Sequence, residues 1–137
     1  MSKEDKLTLT ILPEQYAVYR MGTAQEVPLK LLEQNSFVSI TRTEEELSVV
    51  CAKNLLQKSK IPEGAAVTEG MRVLKVEGPL SFSSVGILLS LLEPLAENRI
   101  SVMAVSTYDT DYILVRDEDL CRATAVLEKV CALRGGL

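Results

Sequence analysis

The segment 71–133 alternates strand-like and helix-like patterns, and this order limits the chain to few folds. Residues 71–77 alternate apolar and charged side chains, which is typical of a strand. Gly78-Pro79 ends this strand, because proline has no N–H to donate to a neighbouring strand. Residues 100–116 hold two strand-like stretches around a Thr-Tyr-Asp-Thr turn, which predicts a β-hairpin. Helical patterns fill the rest of the segment.

The first predicted helix spans residues 82–97 and carries two apolar stripes, so both stripes must be buried. One stripe can face the sheet of its own unit. We expect the other, formed by Ile87, Leu91 and Leu95, to pack against another unit or a second chain. Pro94 should kink this helix or end it early, because it removes one backbone hydrogen bond.

The second predicted helix spans residues 120–134 and ends at Gly135-Gly136. The order is then strand, helix, strand, strand, helix, which is a split βαβ arrangement without its last strand. Such a sheet would expose an unpaired edge beside its core. We therefore predict that the strand-like residues 7–12 cross over and complete this sheet.

The N-terminal half adds further strands and one short helical stretch. Residues 57–70 are polar and punctuated by proline and glycine, which is typical of a linker. We predict a division into residues 1–62 and residues 63–137. The predicted strands of the N-terminal half are 7–12, 16–21, 37–42 and 47–51, with a turn or two of helix at 28–33.

Composition excludes several classes of function. The net charge is −4 with 4% aromatic residues and no tryptophan, which argues against binding nucleic acid. No apolar run reaches the length of a membrane span, and no secretory signal is recognisable, so we expect a cytoplasmic protein. The three cysteines are widely spaced and histidine is absent, which argues against disulfides, metal sites and His-dependent catalysis. We expect the cysteines to be buried, unreactive thiols.

Four stretches of the chain carry a family resemblance. The most specific is the string Ser-Thr-Tyr-Asp-Thr-Asp-Tyr at 106–112. Together the stretches resemble the ACT domains of small tandem-ACT bacterial proteins, of aspartate kinase C-termini and of the eukaryotic cytosolic arginine sensors. The resemblance implies an α+β, ferredoxin-like ACT fold (βαββαβ) with two ACT-like subdomains. The stretches are 39–51, 74–88, 100–115 and 119–123.

The resemblance also implies a function. ACT domains are regulatory and bind a free amino acid, usually at an interface between two ACT units, so a homodimer is expected. The chain has no kinase domain, so it should not phosphorylate aspartate. We expect no enzymatic activity and no cofactor. Carried over to this sequence, the ligand-binding residues are the loop Gly78, Pro79, Leu80, Ser81, Phe82, Ser83, Ser84 and Val85, and the facing strand end Ser106, Thr107, Asp109 and Asp111.

The chemistry of an amino acid suits these residues. The start of the predicted helix offers unpaired N–H groups for a carboxylate, and Ser83 and Ser84 could add hydroxyl donors. Asp109 or Asp111 could accept the ammonium. Simpler roles compete, because serine is a common helix cap and aspartate a common turn residue.

Two other functions are weighed against amino-acid sensing. The first is a ligand-free dimerisation or protein-interaction module, for which the second apolar stripe is the motivating feature. The second is an enzyme. The sequence has no histidine and no nucleophile–base pair, so this interpretation has the least support. Lys75 and Glu77 lie on one face of a strand, and a surface ion pair explains them more simply.

Overall fold

The computed structural model describes residues 7–56, 61–78 and 86–135, and it has a mixed α+β architecture that confirms the predicted fold class. Within these residues, two short 3₁₀ turns accompany the helices and strands, at Leu29–Glu33 and Asp117–Asp119. The elements are β1 (Thr8–Ile11), β2 (Tyr16–Met21), β3 (Ser39–Arg42), β4 (Leu47–Ala52), β5 (Ala66–Val76), α1 (Ile87–Glu97), β6 (Met103–Ser106), β7 (Asp111–Arg116), α2 (Leu120–Leu127) and β8 (Ala132–Gly135).

The chain divides into two compact units. The N-terminal unit comprises residues 14–71, and the C-terminal unit combines residues 1–13 with 72–137. These bounds differ from the expected division after residue 62. Strand β5 begins at Ala66, inside the expected linker, and its residues 66–71 pair with β2. Backbone pairing therefore assigns that stretch to the N-terminal unit.

The C-terminal unit has the strand order β6-β7-β5-β1-β8. Strand β1 lies between β5, to which it is antiparallel (Leu9 opposite Val76), and β8, to which it is parallel (Leu9 opposite Leu133). The prediction that residues 7–12 complete this sheet is confirmed. Gly135 closes the β1–β8 pairing so tightly that a Cβ atom there would lie 2.5 Å from the backbone oxygen of Ile11.

The expectation that this unit lacks its own last strand is wrong. Helix α2 ends at Leu127 rather than at residue 134, and the amide of Cys131 closes a turn onto the carbonyl of Leu127 at 2.9 Å. The amide of Ala132 then bonds the carbonyl of Leu7 at 2.8 Å and starts β8. Strand β8 forms because the edge of β1 supplies backbone partners, which no local sequence pattern encodes.

Helix α1 contributes to the core of its own unit. Leu91 and Leu95 are fully buried with Leu9, Ile11 and Leu74. The expectation that their stripe packs against another unit or chain is therefore wrong, because the sheet and α2 already cover it. The core comprises Leu9, Ile11, Leu74, Val76, Leu91, Leu95, Ile100, Ile113, Val115, Leu120, Ala123, Leu127 and Cys131.

Pro94 does not end helix α1 early, since the helix continues to Glu97. A proline removes a single backbone donor, and the packing of an amphipathic helix can outweigh the loss of one bond. The carbonyl of Pro94 itself accepts a hydrogen bond from the side-chain amide of Asn98 at 2.8 Å. The helix therefore ends one turn after the proline.

The N-terminal unit is a sheet with the strand order β3-β4-β2-β5, in which every pair is antiparallel. Its core is a separate cluster that includes Tyr19, Leu47 and Val49. The 3₁₀ turn at 29–33 adds the buried Leu31 to this cluster, which confirms the short helical stretch predicted there. Within the described ranges, no helix has the length and apolar character needed to cross a bilayer.

Candidate functional site

The β6–β7 hairpin ends in a tight turn that carries four of the predicted site residues. Ser106 lies opposite Asp111 as the last pair of the two strands. The amide of Thr107 donates to the carbonyl of Thr110 at 2.8 Å, and the Thr107 hydroxyl oxygen accepts from the amide of Thr110 at 3.3 Å. These bonds hold Tyr108 and Asp109 at the exposed tip of the turn.

Thr110 joins this turn to the end of β5. Its buried hydroxyl donates to the carbonyl of Val76 at 2.5 Å, two residues before Gly78. The hairpin turn is thereby attached to the end of β5, just before the predicted ligand loop begins. Sequence reasoning did not select Thr110, because an isolated threonine in a turn gives no signal of a partner 34 positions away.

Seven of the predicted site residues lie outside the described residues: Pro79, Leu80, Ser81, Phe82, Ser83, Ser84 and Val85. Helix α1 starts at Ile87 instead of residue 82, and its N-cap is Gly86 in the left-handed region with φ of 82°. Glycine suits the positive φ at this N-cap position, because it has no Cβ atom.

The start of α1 faces the same end of the sheet as the hairpin turn. The helix leads through residues 98–102 into β6, and β6 runs from there towards the turn at 107–110. The C-terminus of α1 is thus at the far end of the sheet. The backbone N–H groups at the start of α1, after Gly86, and the positive end of the helix dipole therefore point towards the end of the unit that holds the hairpin turn.

The two predicted aspartates differ in their surroundings. Asp111 is half-buried, and one of its carboxylate oxygens accepts a hydrogen bond from the Ser106 hydroxyl at 2.5 Å. This bond gives Asp111 and Ser106 a structural role across the hairpin. Asp109 is exposed at the tip and makes no hydrogen bond or ion pair with the residues that the structure describes. Of the two carboxylates, Asp109 is the one available to a ligand.

A polar cluster holds the other side of the end of β5. The Thr10 hydroxyl donates to Glu77 Oε1 at 2.6 Å, and Arg134 donates from Nε to Thr10 Oγ1 at 2.9 Å. Arg134 Nη2 also lies 3.3 Å from Glu77 Oε1, and Lys75 Nζ lies 3.8 Å from Glu77 Oε2. The predicted Lys75–Glu77 ion pair is therefore present, within a cluster that spans β1, β5 and β8.

This cluster predicts a pH dependence. The Thr10 hydroxyl bond and then the Arg134 and Lys75 cations hold the pKa of the Glu77 carboxyl below its ordinary value of 4.5, against an opposing effect of partial burial. The ionised carboxylate thus stabilises the fold above pH 4.5, and this stability is lost as the pH falls through the lower folded-state pKa. Glu77→Gln should lower the free energy of unfolding by about 0.5–1 kcal/mol at pH 7.

Urea denaturation of wild type and Glu77→Gln between pH 7 and pH 3 checks this expectation. The difference between the two proteins should shrink below pH 4.5 and vanish once Glu77 is protonated. Arg20→Gln serves as the control, since its ion pair with Glu46 is an exposed contact at 3.8 Å. A difference that is constant over the whole pH range would contradict the role of the Glu77 charge.

The cysteines follow the predicted pattern in two of three cases. Cys51 and Cys131 are buried, whereas Cys121 is exposed on α2. Burial raises the pKa of the Cys51 thiol, which keeps it protonated and unreactive at neutral pH. Among residues 7–56, 61–78 and 86–135, no group of three or more His, Cys, Asp or Glu side chains is arranged to hold a metal ion.

Two family models match the chain. The model of the ACT domain matches residues 66–129, which include β5, both helices and the β6–β7 hairpin. A second model, which describes the N-terminal domain of a protein family, matches residues 14–59. The two matches fall on different parts of the chain and together cover most of it.

Relatives and solved structures agree with these matches. The cytosolic arginine sensor for mTORC1 subunit 1 of Bos taurus is 36% identical over 90 residues, which cover 61% of this chain and 27% of that protein. The matched region thus spans about a quarter of the length of this curated relative. The regulatory subunit of aspartate kinase from Thermus thermophilus shares the fold, with a TM-score of 0.62 at 9% identity over 89% of this chain and 96% of that chain.

A crystal structure of a protein from Agrobacterium tumefaciens matches nearly the whole length of both proteins. The TM-score is 0.81 at 34% identity, and the alignment covers 96% of this chain and 95% of that chain. The predicted resemblance to aspartate kinase regulatory domains and to the arginine sensors is confirmed. Residues 66–129 of this chain belong to the family of ACT domains.

Proposed function

We propose that this protein is a non-catalytic regulatory protein that binds a free amino acid at the end of the C-terminal sheet. The observation that carries this proposal is the hydrogen bond from Thr110 to Val76, which brings the hairpin turn beside the residues that lead into Gly78. The bovine relative is named an arginine sensor, so arginine is the first ligand to test.

The described groups at this end of the sheet suit the two charges of an amino acid. The backbone N–H groups of the first turn of α1, after Gly86, can donate to the carboxylate and complement its charge with the helix dipole. The exposed carboxylate of Asp109 can accept the ammonium in charge-assisted hydrogen bonds. Ser106 and Asp111 support the rim through their mutual bond.

The family resemblance extends the proposal to a second ACT unit that covers the bound amino acid. An amino acid is small, so burying it from both sides would exclude water and strengthen its charge-assisted bonds. A homodimer is one way to supply the second unit. The proposed setting is the cytoplasm, as in the name of the bovine relative.

The absence of histidine supports a non-catalytic role, since histidine is the commonest general base. The competing proposal, a ligand-free dimerisation module, depends on the stripe of Ile87, Leu91 and Leu95 packing against another unit or a second chain. That support is lost, because Leu91 and Leu95 lie in the core of the C-terminal unit. Amino-acid binding is therefore the function we propose.

A thermal-shift screen against the twenty standard amino acids tests the proposal. A ligand at one hundred times its Kd should stabilise the protein by about 2.7 kcal/mol, which is readily seen as a rise in Tm. Asp109→Asn should weaken the binding of that amino acid about tenfold, because it removes a charge-assisted acceptor.

Glu45→Gln is the matched control for this variant. It removes one exposed carboxylate from a turn in the N-terminal unit, so it changes the net charge equally without touching the proposed site. Its affinity should equal that of the wild type. No rise in Tm with any amino acid at millimolar concentration would count decisively against the proposed function, and equal losses in both variants would remove Asp109 from the site.

A further inference from the structure

Thr110 is not among the residues expected to bind the ligand, yet it links the β6–β7 turn to the end of β5. We propose that Thr110 is a positioning residue whose hydroxyl, bonded to the carbonyl of Val76, holds the β6–β7 turn in the place that amino-acid binding requires. This inference rests on the proposed function and assigns a role to a residue that need not touch the ligand.

Several hydrogen bonds converge on Thr110. Its hydroxyl donates to Val76 at 2.5 Å, its amide donates to Thr107 Oγ1 at 3.3 Å, and its carbonyl accepts from the amide of Thr107 at 2.8 Å. The side chain is 6% exposed, so water does not readily replace the bond to Val76. Thr110 therefore belongs to the closed turn and to the contact with β5 at once.

The end of β5, to which the turn is attached, is held by bonds of its own. Immediately after Val76, the amide of Glu77 bonds the carbonyl of Thr8 at 2.8 Å. The Glu77 carboxylate is held by Thr10 and Arg134 on the other side. The end of β5 is thus anchored independently of the turn. If the bond from Thr110 is lost, the turn is the part that shifts.

The group that would meet the ammonium of a ligand lies next to Thr110 in the chain. Asp109, the proposed ammonium acceptor, directly precedes Thr110, so any displacement of Thr110 displaces its carboxylate. Charge-assisted hydrogen bonds require heavy-atom distances near 2.7–2.9 Å. Small shifts of the turn would therefore reduce affinity even in a protein that remains folded.

The test compares three variants of the full chain. Thr110→Val keeps the shape of the side chain and removes its hydroxyl, whereas Thr110→Ser keeps the hydroxyl. Thr124→Val is the matched control, because Thr124 is also buried and donates to a backbone carbonyl, that of Cys121, at 3.0 Å within α2. All three are titrated calorimetrically with L-arginine and with any other amino acid that raises the Tm of the wild type.

We expect Thr110→Val to raise the Kd about tenfold, the loss expected for one buried hydrogen bond. Thr110→Ser should stay within about twofold of the wild type, and so should Thr124→Val even if its Tm falls. Amide exchange without ligand should become faster at residues 107–111 in Thr110→Val and remain unchanged there in Thr124→Val.

Two outcomes overturn the inference while the proposed function stands. One is an unchanged Kd in Thr110→Val, and the other is an equal loss of affinity in Thr110→Val and Thr124→Val. A wild type that binds none of the twenty amino acids would instead overturn the proposed function. In that case, an unchanged rate of amide exchange at residues 107–111 in Thr110→Val would also show that Thr110 does not hold the turn in place.

Discussion

Leu91→Ala is expected to lower the free energy of unfolding by about 2–5 kcal/mol, the range for truncating a buried leucine. Leu91 is 0% exposed, and it packs in one cluster with Leu95 on its own helix and with strand residues such as Leu9 and Leu74. The substitution leaves a cavity that these neighbours would fill only in part. Urea denaturation followed by circular dichroism measures the loss.

Leu89→Ala is the control, because Leu89 lies two positions away on the same helix with 63% of its surface exposed. Its substitution should change the free energy of unfolding by no more than about 0.5 kcal/mol, as at most surface positions. The same pair of variants separates a core role from an interface role. If Leu91→Ala weakened self-association without affecting the stability of the monomer, the assignment of Leu91 to the core would be wrong.

Arg72→Ala is expected to cost about 2–3 kcal/mol, since it removes both a buried stem and the hydrogen bonds of the guanidinium. The Arg72 side chain is only 10% exposed. Its Nη2 donates to the carbonyl of Leu12 at 3.2 Å and its Nη1 to Asp117 Oδ1 at 3.3 Å. It therefore ties the end of β1 to the 3₁₀ turn before α2. Chemical denaturation at pH 7 measures the effect.

Arg116→Ala removes an equal charge from an exposed site, where Arg116 lies 4.0 Å from Glu118. Exposed pairs of this kind contribute about 0–1 kcal/mol, so this control should unfold close to the wild type. Amide exchange should also become faster in β1 in Arg72→Ala and stay unchanged in Arg116→Ala. Equal stability losses in the two variants would show that net charge, rather than the buried contacts of Arg72, is responsible.

The end of the chain shows how a local pattern can mislead. Leu127, Val130 and Cys131 have helical spacing, and this spacing predicted a helix up to residue 134. Helix α2 stops at Leu127, and Cys131 is buried after a turn instead of on a helix face. Both arrangements bury the same side chain, so burial alone did not distinguish them. The backbone partners on β1 made the difference.

The hairpin turn gives a second example of what a local pattern can and cannot identify. The turn residues Ser106, Thr107, Asp109 and Asp111 are recognisable because their composition and the family resemblance mark them. Thr110, which attaches the turn to β5, carries no such mark. Its hydroxyl bonds the backbone carbonyl of Val76. Because every residue has a backbone carbonyl, the sequence does not show which one is the partner.

The strand–helix–strand–strand–helix order of the segment 71–133 follows from the sequence by itself. Apolar residues at every second position indicate the strands, and apolar residues three or four positions apart indicate the helices. Gly78-Pro79 marks the end of the first strand. All of these patterns lie between near neighbours in the chain. The sequence also predicts that residues 7–12 join this sheet, whereas tertiary structure alone decided the formation of β8 and the attachment of the hairpin turn. These features depend on partners such as Thr10 and Glu77, which are 67 positions apart, and only the folded chain brings such residues together.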